Sequence, residues 1–182
     1  MNYIFSAIFL YFFLGFLLYI FQRRIIFNKS GHPGTPKDYN LDNTEEIYIK
    51  TEDNLELLSW YHKGNNSLPL LVYFHGNSFH IGDRAYRIQR YIEKNWSVLL
   101  VSWRGFGGNK GNPTEKNLYK DAEAVLQWIK NSTEFKFKEL VIYGESLGSG
   151  AAVEIGTKYK FLSIVLEAPF TSINDIAKKR YK

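Results

Sequence analysis

The chain has 182 residues, with 45% hydrophobic, 17% aromatic and 23% charged side chains and a formal net charge of +5. That much aromatic surface excludes an intrinsically disordered chain, and the absence of cysteine excludes a disulfide scaffold or a thiolate metal site. The lysines are scattered and form no long basic block, so the positive balance reads as a solvated surface and no nucleic-acid partner is expected.

Tyr3 to Phe21 carries no charged residue. Nineteen residues at about 1.5 Å each span roughly 28 Å, close to the hydrocarbon thickness of a bilayer. The segment shows no polar face, unlike a helix on a soluble surface. Arg23 and Arg24 end it abruptly, and Phe21-Gln22-Arg23-Arg24 makes a poor signal-peptide cleavage site. Residues 1–24 are therefore expected to form a single-pass membrane anchor. Arg23, Arg24 and Lys29 follow the span and no Lys or Arg precedes it, which points the rest of the chain to the cytoplasm.

Residues 25–44 read as a linker, with Gly31, Pro33, Gly34 and Pro36 marking irregular backbone. Residues 45–182 alternate strands and helices. Glu46–Lys50 and Leu55–His62 form a hairpin about the turn Thr51–Asn54. Leu70–Phe74, Ser97–Trp103, Leu140–Tyr143 and Leu162–Leu166 are apolar runs that suit strands buried on both faces. Between them lie helices at Asp83–Lys94, at Thr114–Lys130 with Thr114 as cap, and at Leu147–Tyr159. Leu118, Ala122, Val125 and Ile129 make one stripe of the second. A last helix is expected over Thr171–Tyr181. A hairpin followed by repeated βα units gives an α/β fold, a mostly parallel sheet with helices on both faces.

The strongest chemical signal is Gly144-Glu145-Ser146-Leu147-Gly148, where a buried strand gives way to a helix. Composition alone yields about 0.07 such patterns in a chain like this. A sharp strand-to-helix turn exposes the Ser146 hydroxyl above the sheet edge, and Gly144 and Gly148 let strand and helix pack closely. An acyl-transfer site also needs backbone N–H groups aimed at a tetrahedral oxyanion. In this architecture they come from Leu147 and from the loop after Phe74-His75-Gly76, at Asn77 or Ser78. His75 then serves packing and hydrogen bonding. Arg104-Gly105-Phe106-Gly107-Gly108 lacks the residues of a phosphate-binding loop, and no His pair has zinc-helix spacing, so neither cofactor nor metal is expected.

From about Gln22 onward the chain resembles the membrane-anchored α/β-hydrolase-domain serine hydrolases. The resemblance rests on Tyr73-Phe74-His75-Gly76-Asn77, Ile81-Gly82-Asp83-Arg84, Arg104-Gly105-Phe106-Gly107, Asp121-Ala122-Glu123-Ala124, the elbow and Phe170-Thr171-Ser172-Ile173. It implies a Ser-His-Asp hydrolase of a carboxylic ester or thioester, with a lipid-like acyl group among the candidate substrates. Phe79, His80 and Ser102 depart from it, standing where Gly, Asn and Asp are usual.

The largest departure follows the elbow. The fold orders its triad Ser, acid, His, yet no histidine follows Ser146 and the only later Asp is Asp175. The resemblance thus implies an α/β-hydrolase domain without its last strands and helices, about two βα units. The expected consequences are an apolar edge at Ser163–Leu166, and activity only when a complementing C-terminal fragment supplies acid and base. The alternatives are a catalytically inactive remnant of a decayed or split gene, or a non-enzymatic binding module. Within the chain, His80 is the one candidate for a substitute base.

Overall fold

The structure is a computed structural model that describes residues 2–27, 31–172, 175, 178 and 179. Its first element is a 25-residue helix, α1 (Asn2–Ile26). Tyr3–Gln22 of it has a mean hydropathy of 2.4 and no part buried against the protein. Phe5, Phe9, Tyr11, Phe12 and Tyr19 all stand exposed. By length and composition this helix can cross a membrane.

The sheet has six strands: β1 (Thr44–Lys50), β2 (Glu56–His62), β3 (Leu70–Phe74), β4 (Ser97–Val101), β5 (Leu140–Glu145) and β6 (Ser163–Glu167). Their order is β1-β2-β4-β3-β5-β6. β1, β2 and β4 pair antiparallel; β4, β3, β5 and β6 run parallel. The crossovers are α2 (Ala85–Ile92), α3 (Glu115–Ser132) and α4 (Leu147–Lys158). The hairpin turn closes through Thr51, whose N–H reaches the Leu55 carbonyl at 2.9 Å. Thr114 caps α3 by accepting from the Asn117 N–H at 3.2 Å, which occupies one of the four N–H groups a helix start leaves without a partner.

The alternation of side chains along β3 sorts them into two cores. Leu70, Val72 and Phe74 join Leu99, Val101, the α3 stripe Leu118, Ala122, Val125 and Ile129, and Ala151 and Ile155 of α4. Leu71 and Tyr73 join Trp60, Val98, Leu100, Ile81, Ala85 and Ile88 on the α2 side. All ten residues of β3 and β4 are buried. Each fully buried aliphatic or aromatic side chain stabilises the fold by about 1.5–3 kcal/mol, so these two strands are its centre.

The other two apolar runs differ from expectation. β5 is buried on one face only, with Val141 and Tyr143 half-buried. β6 is the edge strand, and Ile164, Val165 and Leu166 are each 38% exposed. A continuous apolar run signals two faces that are to be covered, and within the described residues nothing lies beyond β6. The expected apolar edge at Ser163–Leu166 is thus present. α2 is shorter than the expected Asp83–Lys94, because Ile81–Arg84 forms a separate 3₁₀ turn ahead of it. The segment expected to be a linker is not a free tether. Pro33, Pro36 and Leu41 are buried, Leu41 within the α2-side core, and Pro36–Tyr39 forms a further 3₁₀ turn. The expected helix over Thr171–Tyr181 lies mostly outside the described residues.

Candidate active site

β5 ends at Glu145 and α4 begins at Leu147, leaving Ser146 at φ +47° and ψ −108°. An L residue held at such a positive φ costs of order 1–3 kcal/mol, so its surroundings have to enforce it. The Ser146 N–H donates to the Glu167 carbonyl at the end of β6 (2.8 Å), and its carbonyl accepts from the Ser149 N–H (2.9 Å) and hydroxyl (2.5 Å). The flanking glycines permit the close approach. A Cβ on Gly144 would lie 2.7 Å from the Gly148 carbonyl oxygen, and one on Gly148 would collide with the Phe74 carbonyl. Leu147 opens α4, so its N–H belongs to the first helical turn, whose donors have no acceptor within the helix. Those donors and the positive end of the helix dipole favour negative charge beside Ser146.

The loop after β3 passes directly across from the elbow. A Cβ on Gly76 would sit 3.4 Å from Ser146 Cβ and 2.9 Å from Glu145 Oε1. Asn77 and Ser78, the expected oxyanion-hole residues, follow in this loop. The Ser78 carbonyl accepts from Arg84 Nη1 at 2.7 Å. The same guanidinium grips Glu145 through Nε–Oε2 (3.1 Å) and Nη2–Oε1 (2.9 Å), and the Tyr73 hydroxyl adds a third bond to Glu145 at 3.0 Å. Arg84 therefore ties the loop to the residue immediately before Ser146. Burial alone would raise the Glu145 carboxyl, but the Arg84 bonds outweigh it and hold it below its ordinary value.

His75 is fully buried. Its Nδ1 lies 2.7 Å from the Gly76 carbonyl and its Nε2 faces the Trp103 N–H at 3.5 Å, while the Trp103 indole N–H donates to the His75 carbonyl at 2.9 Å. A neutral ring with its proton on Nδ1 satisfies both contacts. Burial, with Arg84 nearby, depresses its pKa to about 4. His75 is a packing and hydrogen-bonding residue.

His80 sits elsewhere. Its Nδ1 faces Asp83 Oδ2 at 3.4 Å, so an acid does stand beside it. Its opposite edge, however, packs on Gly31, where a Cβ would lie 2.8 Å from Cδ2 and 3.2 Å from Nε2. The nitrogen a base would present is thus turned to residue 31. Asp175, the one Asp after the elbow, accepts from the Thr171 hydroxyl at 2.6 Å. Among the described residues no side chain hydrogen-bonds the Ser146 hydroxyl.

A cavity of about 320 Å³ opens beside the elbow. Leu147, Ala151, Leu118, Phe170 and Phe27 give it an apolar wall, with Glu115, Thr171 and Ser172 at its polar side. Sequence reasoning did not find two of these contributors. Arg84 figured only inside a family-like tetrapeptide, because nothing local says that a guanidinium will span to position 145. Phe27 lay in a presumed linker, and only its apolar character signalled burial.

A mostly parallel sheet with helices on both faces, a strained serine between strand and helix and an N–H-bearing loop opposite defines an α/β hydrolase. Residues 66–181 match the Hydrolase_4 model, described as serine aminopeptidase, S33, and the chain belongs to that family. It is 31% identical over 174 residues to the uncharacterized protein Rv2307c of Mycobacterium tuberculosis, covering 92% of this chain and 61% of the relative. It is 31% identical over 176 residues to protein bem46 of Schizosaccharomyces pombe, covering 90% and 58%. The lysophosphatidylserine lipase ABHD12 of Danio rerio matches at 29% identity over 79% of this chain and 44% of that protein. Among solved structures, the Pyrococcus furiosus esterase Pf2001 superposes with a TM-score of 0.70 at 24% identity, covering 85% of this chain and 63% of the esterase; that likeness shows the fold alone. The chain spans about 60% of the length of the first two relatives.

Proposed function

We propose that the chain carries the nucleophile and oxyanion half of a membrane-anchored serine hydrolase acting on a carboxylic ester or thioester. One observation carries this reading: Ser146 is held at φ +47° on a strand-to-helix turn with the Gly76-Asn77-Ser78 loop facing it. Ser146 attacks the carbonyl carbon, and the Leu147 N–H with that of Asn77 or Ser78 receives the developing oxyanion. The apolar cavity beside Leu147 suits an acyl chain, and its roughly 320 Å³ lies at the small end of ligand pockets, about 300–1,000 Å³. Similarity to a protein named as a lysophosphatidylserine lipase supports a lipid-like acyl substrate. Residues 1–24 serve as the anchor, residues 25–44 join it to the hydrolase domain 45–182, and Arg23, Arg24 and Lys29 favour a cytoplasmic domain.

Ser146 needs a base to take its proton. In this reading the base and its orienting acid come from polypeptide outside these 182 residues, seated against β6. One observation favours a second reading, a binding module without turnover: no described side chain hydrogen-bonds the Ser146 hydroxyl. Labelling of the full chain in lipid nanodiscs with a fluorophosphonate, together with hydrolysis of p-nitrophenyl butyrate, separates the two. Labelling lost in Ser146→Ala supports the hydrolase. A cooperatively folded protein that binds acyl chains in the cavity without labelling supports the module.

A further inference from the structure

The end of the membrane helix touches the catalytic edge at several consecutive points. Asn77 donates its side-chain amide to the carbonyl of Ile26, the last residue of α1. A carbonyl accepts only from the amide NH₂, so the orientation of that side chain is fixed. The last carbonyls of a helix have no partner within it, and here the candidate oxyanion loop supplies one. The next residue, Phe27, is 8% exposed, meets Phe106 edge-on at 6.4 Å and lines the cavity with Leu147. Gly31 lies against His80, and a Cβ on Gly82 would come within 2.7 Å of the Pro33 carbonyl. The loop from Asn77 to Gly82 is thus met at Ile26, Gly31 and Pro33 by the chain that follows the helix.

A tether that served only to localise the domain would need none of these contacts. We propose that the last turn of α1 and Phe27 are positioning elements of the oxyanion loop. They hold Asn77, and with it the backbone N–H groups of residues 77 and 78, where a tetrahedral oxyanion requires them. The reactivity of Ser146 then depends on how the membrane helix is seated, so the enzyme reads its bilayer as well as residing in it. This rests on the reading of Ser146 as nucleophile. The loop is held on its other side by Arg84, which fixes Ser78 but leaves Asn77 dependent on Ile26.

The test uses the full chain in lipid nanodiscs. Asn77→Ala keeps the backbone donor and removes the link to Ile26; Phe27→Ala removes the plug, and Phe27→Leu should restore most of it. Phe9→Leu/Phe13→Leu, which alters a stacked pair on the exposed surface of α1, is the control. Two readouts are taken: the rate of fluorophosphonate labelling at Ser146, and amide hydrogen exchange at residues 76–80 against β4. The expected result for Asn77→Ala and Phe27→Ala is labelling slowed about tenfold, part of the 10²–10³-fold that one oxyanion donor supplies. Exchange should rise at 76–80 alone, with β4 and the control unchanged. Wild-type labelling and exchange in both variants would overturn the proposal, as would exchange rising equally in β4, which would make the contacts general stability. A wild-type chain that never labels bears on Ser146 and its missing base, not on this proposal; the exchange data alone then decide it, and unchanged exchange at 76–80 in both variants overturns it.

Discussion

The two flanks of the elbow are built to different standards. On the β3 flank the loop is tied at several points: Arg84 bonds both Ser78 and Glu145, His75 and Trp103 bond each other, and Asn77 reaches Ile26. On the β6 flank the Glu167 carbonyl holds Ser146, and the strand behind it leaves three apolar side chains 38% exposed. In the proposed reading the pinned flank is the one that stabilises charge, and that task needs donors in place before reaction, because reorganising them in the transition state costs rate. In that reading the acid and base belong to the open flank, and electrostatic preorganisation and proton transfer are carried by structurally separable halves.

The pinned flank should break most severely at Arg84. Its side chain is 9% exposed and that of Glu145 15%. Arg84→Met leaves a buried carboxylate with only Tyr73, and breaking such a pair typically costs 3–5 kcal/mol, a large part of a stability of roughly 5–15 kcal/mol. Denaturant midpoints check this. Lys at 84 should rescue little, since an ammonium cannot span Ser78 and both Glu145 oxygens; Glu145→Gln added to Arg84→Met should recover part of the loss. A cost below about 1 kcal/mol for Arg84→Met would mean the clamp does not hold the loop.

Acid should loosen the same flank next. His75 is neutral in the fold with a pKa of about 4 and titrates near 6.5 when unfolded. The unfolded chain binds the extra proton first, so the stability this residue allows is complete above about pH 6.5 and falls as pH drops toward 4. The full loss is roughly 3 kcal/mol. His75→Gln, which keeps a neutral hydrogen-bonding side chain, should flatten that part of a stability–pH curve. An unchanged curve would place the acid sensitivity elsewhere.

Phe79 offers a smaller change of opposite sign. It lies in the oxyanion loop at φ +59° and is 50% exposed, a conformation that costs a residue with a Cβ about 1–2 kcal/mol. Phe79→Gly should raise stability by about 0.5–1 kcal/mol after the added freedom of the unfolded chain is subtracted. Thermal unfolding measures it, and a lowered midpoint would mean the exposed ring makes contacts worth more than the strain.

Much of this was legible in the residues. The strands β3 and β4, the α3 stripe and the elbow follow from apolar runs, helical periodicity and two glycines around a serine, all local signals. Phe79 departs from the Gly that the resemblance implies, but its positive φ is seen only in the backbone. What escaped is non-local. Arg84 and Glu145 lie 61 residues apart, as do neither propensity nor pattern reach. The packing of Ile26, Gly31 and Pro33 onto the loop was hidden because Gly and Pro mark irregular backbone, and irregular backbone can still be buried. The run at 162–166 by itself reads as a strand covered on both faces, whereas the expected lack of an outer neighbour predicts the apolar edge that β6 presents.

That strand supports the smallest prediction on stability. Val165 shares its face with Glu167, whose carboxylate accepts from Tyr143 and Arg87, while Ile164 points to α4, with a Cβ on Gly156 only 2.5 Å from its Cδ1. A charge at Val165 therefore meets solvent, and Val165→Lys should change stability by no more than about 0.5 kcal/mol. Its effect should fall on association, since an unpaired apolar edge templates strand addition and a lysine there opposes it. Sedimentation in a fixed detergent concentration should show less self-association than wild type, with Ile164→Val as a control that leaves the edge apolar. A stability loss above about 2 kcal/mol, the scale of a buried core substitution, would show that Val165 is covered after all and that the two flanks of the elbow are alike.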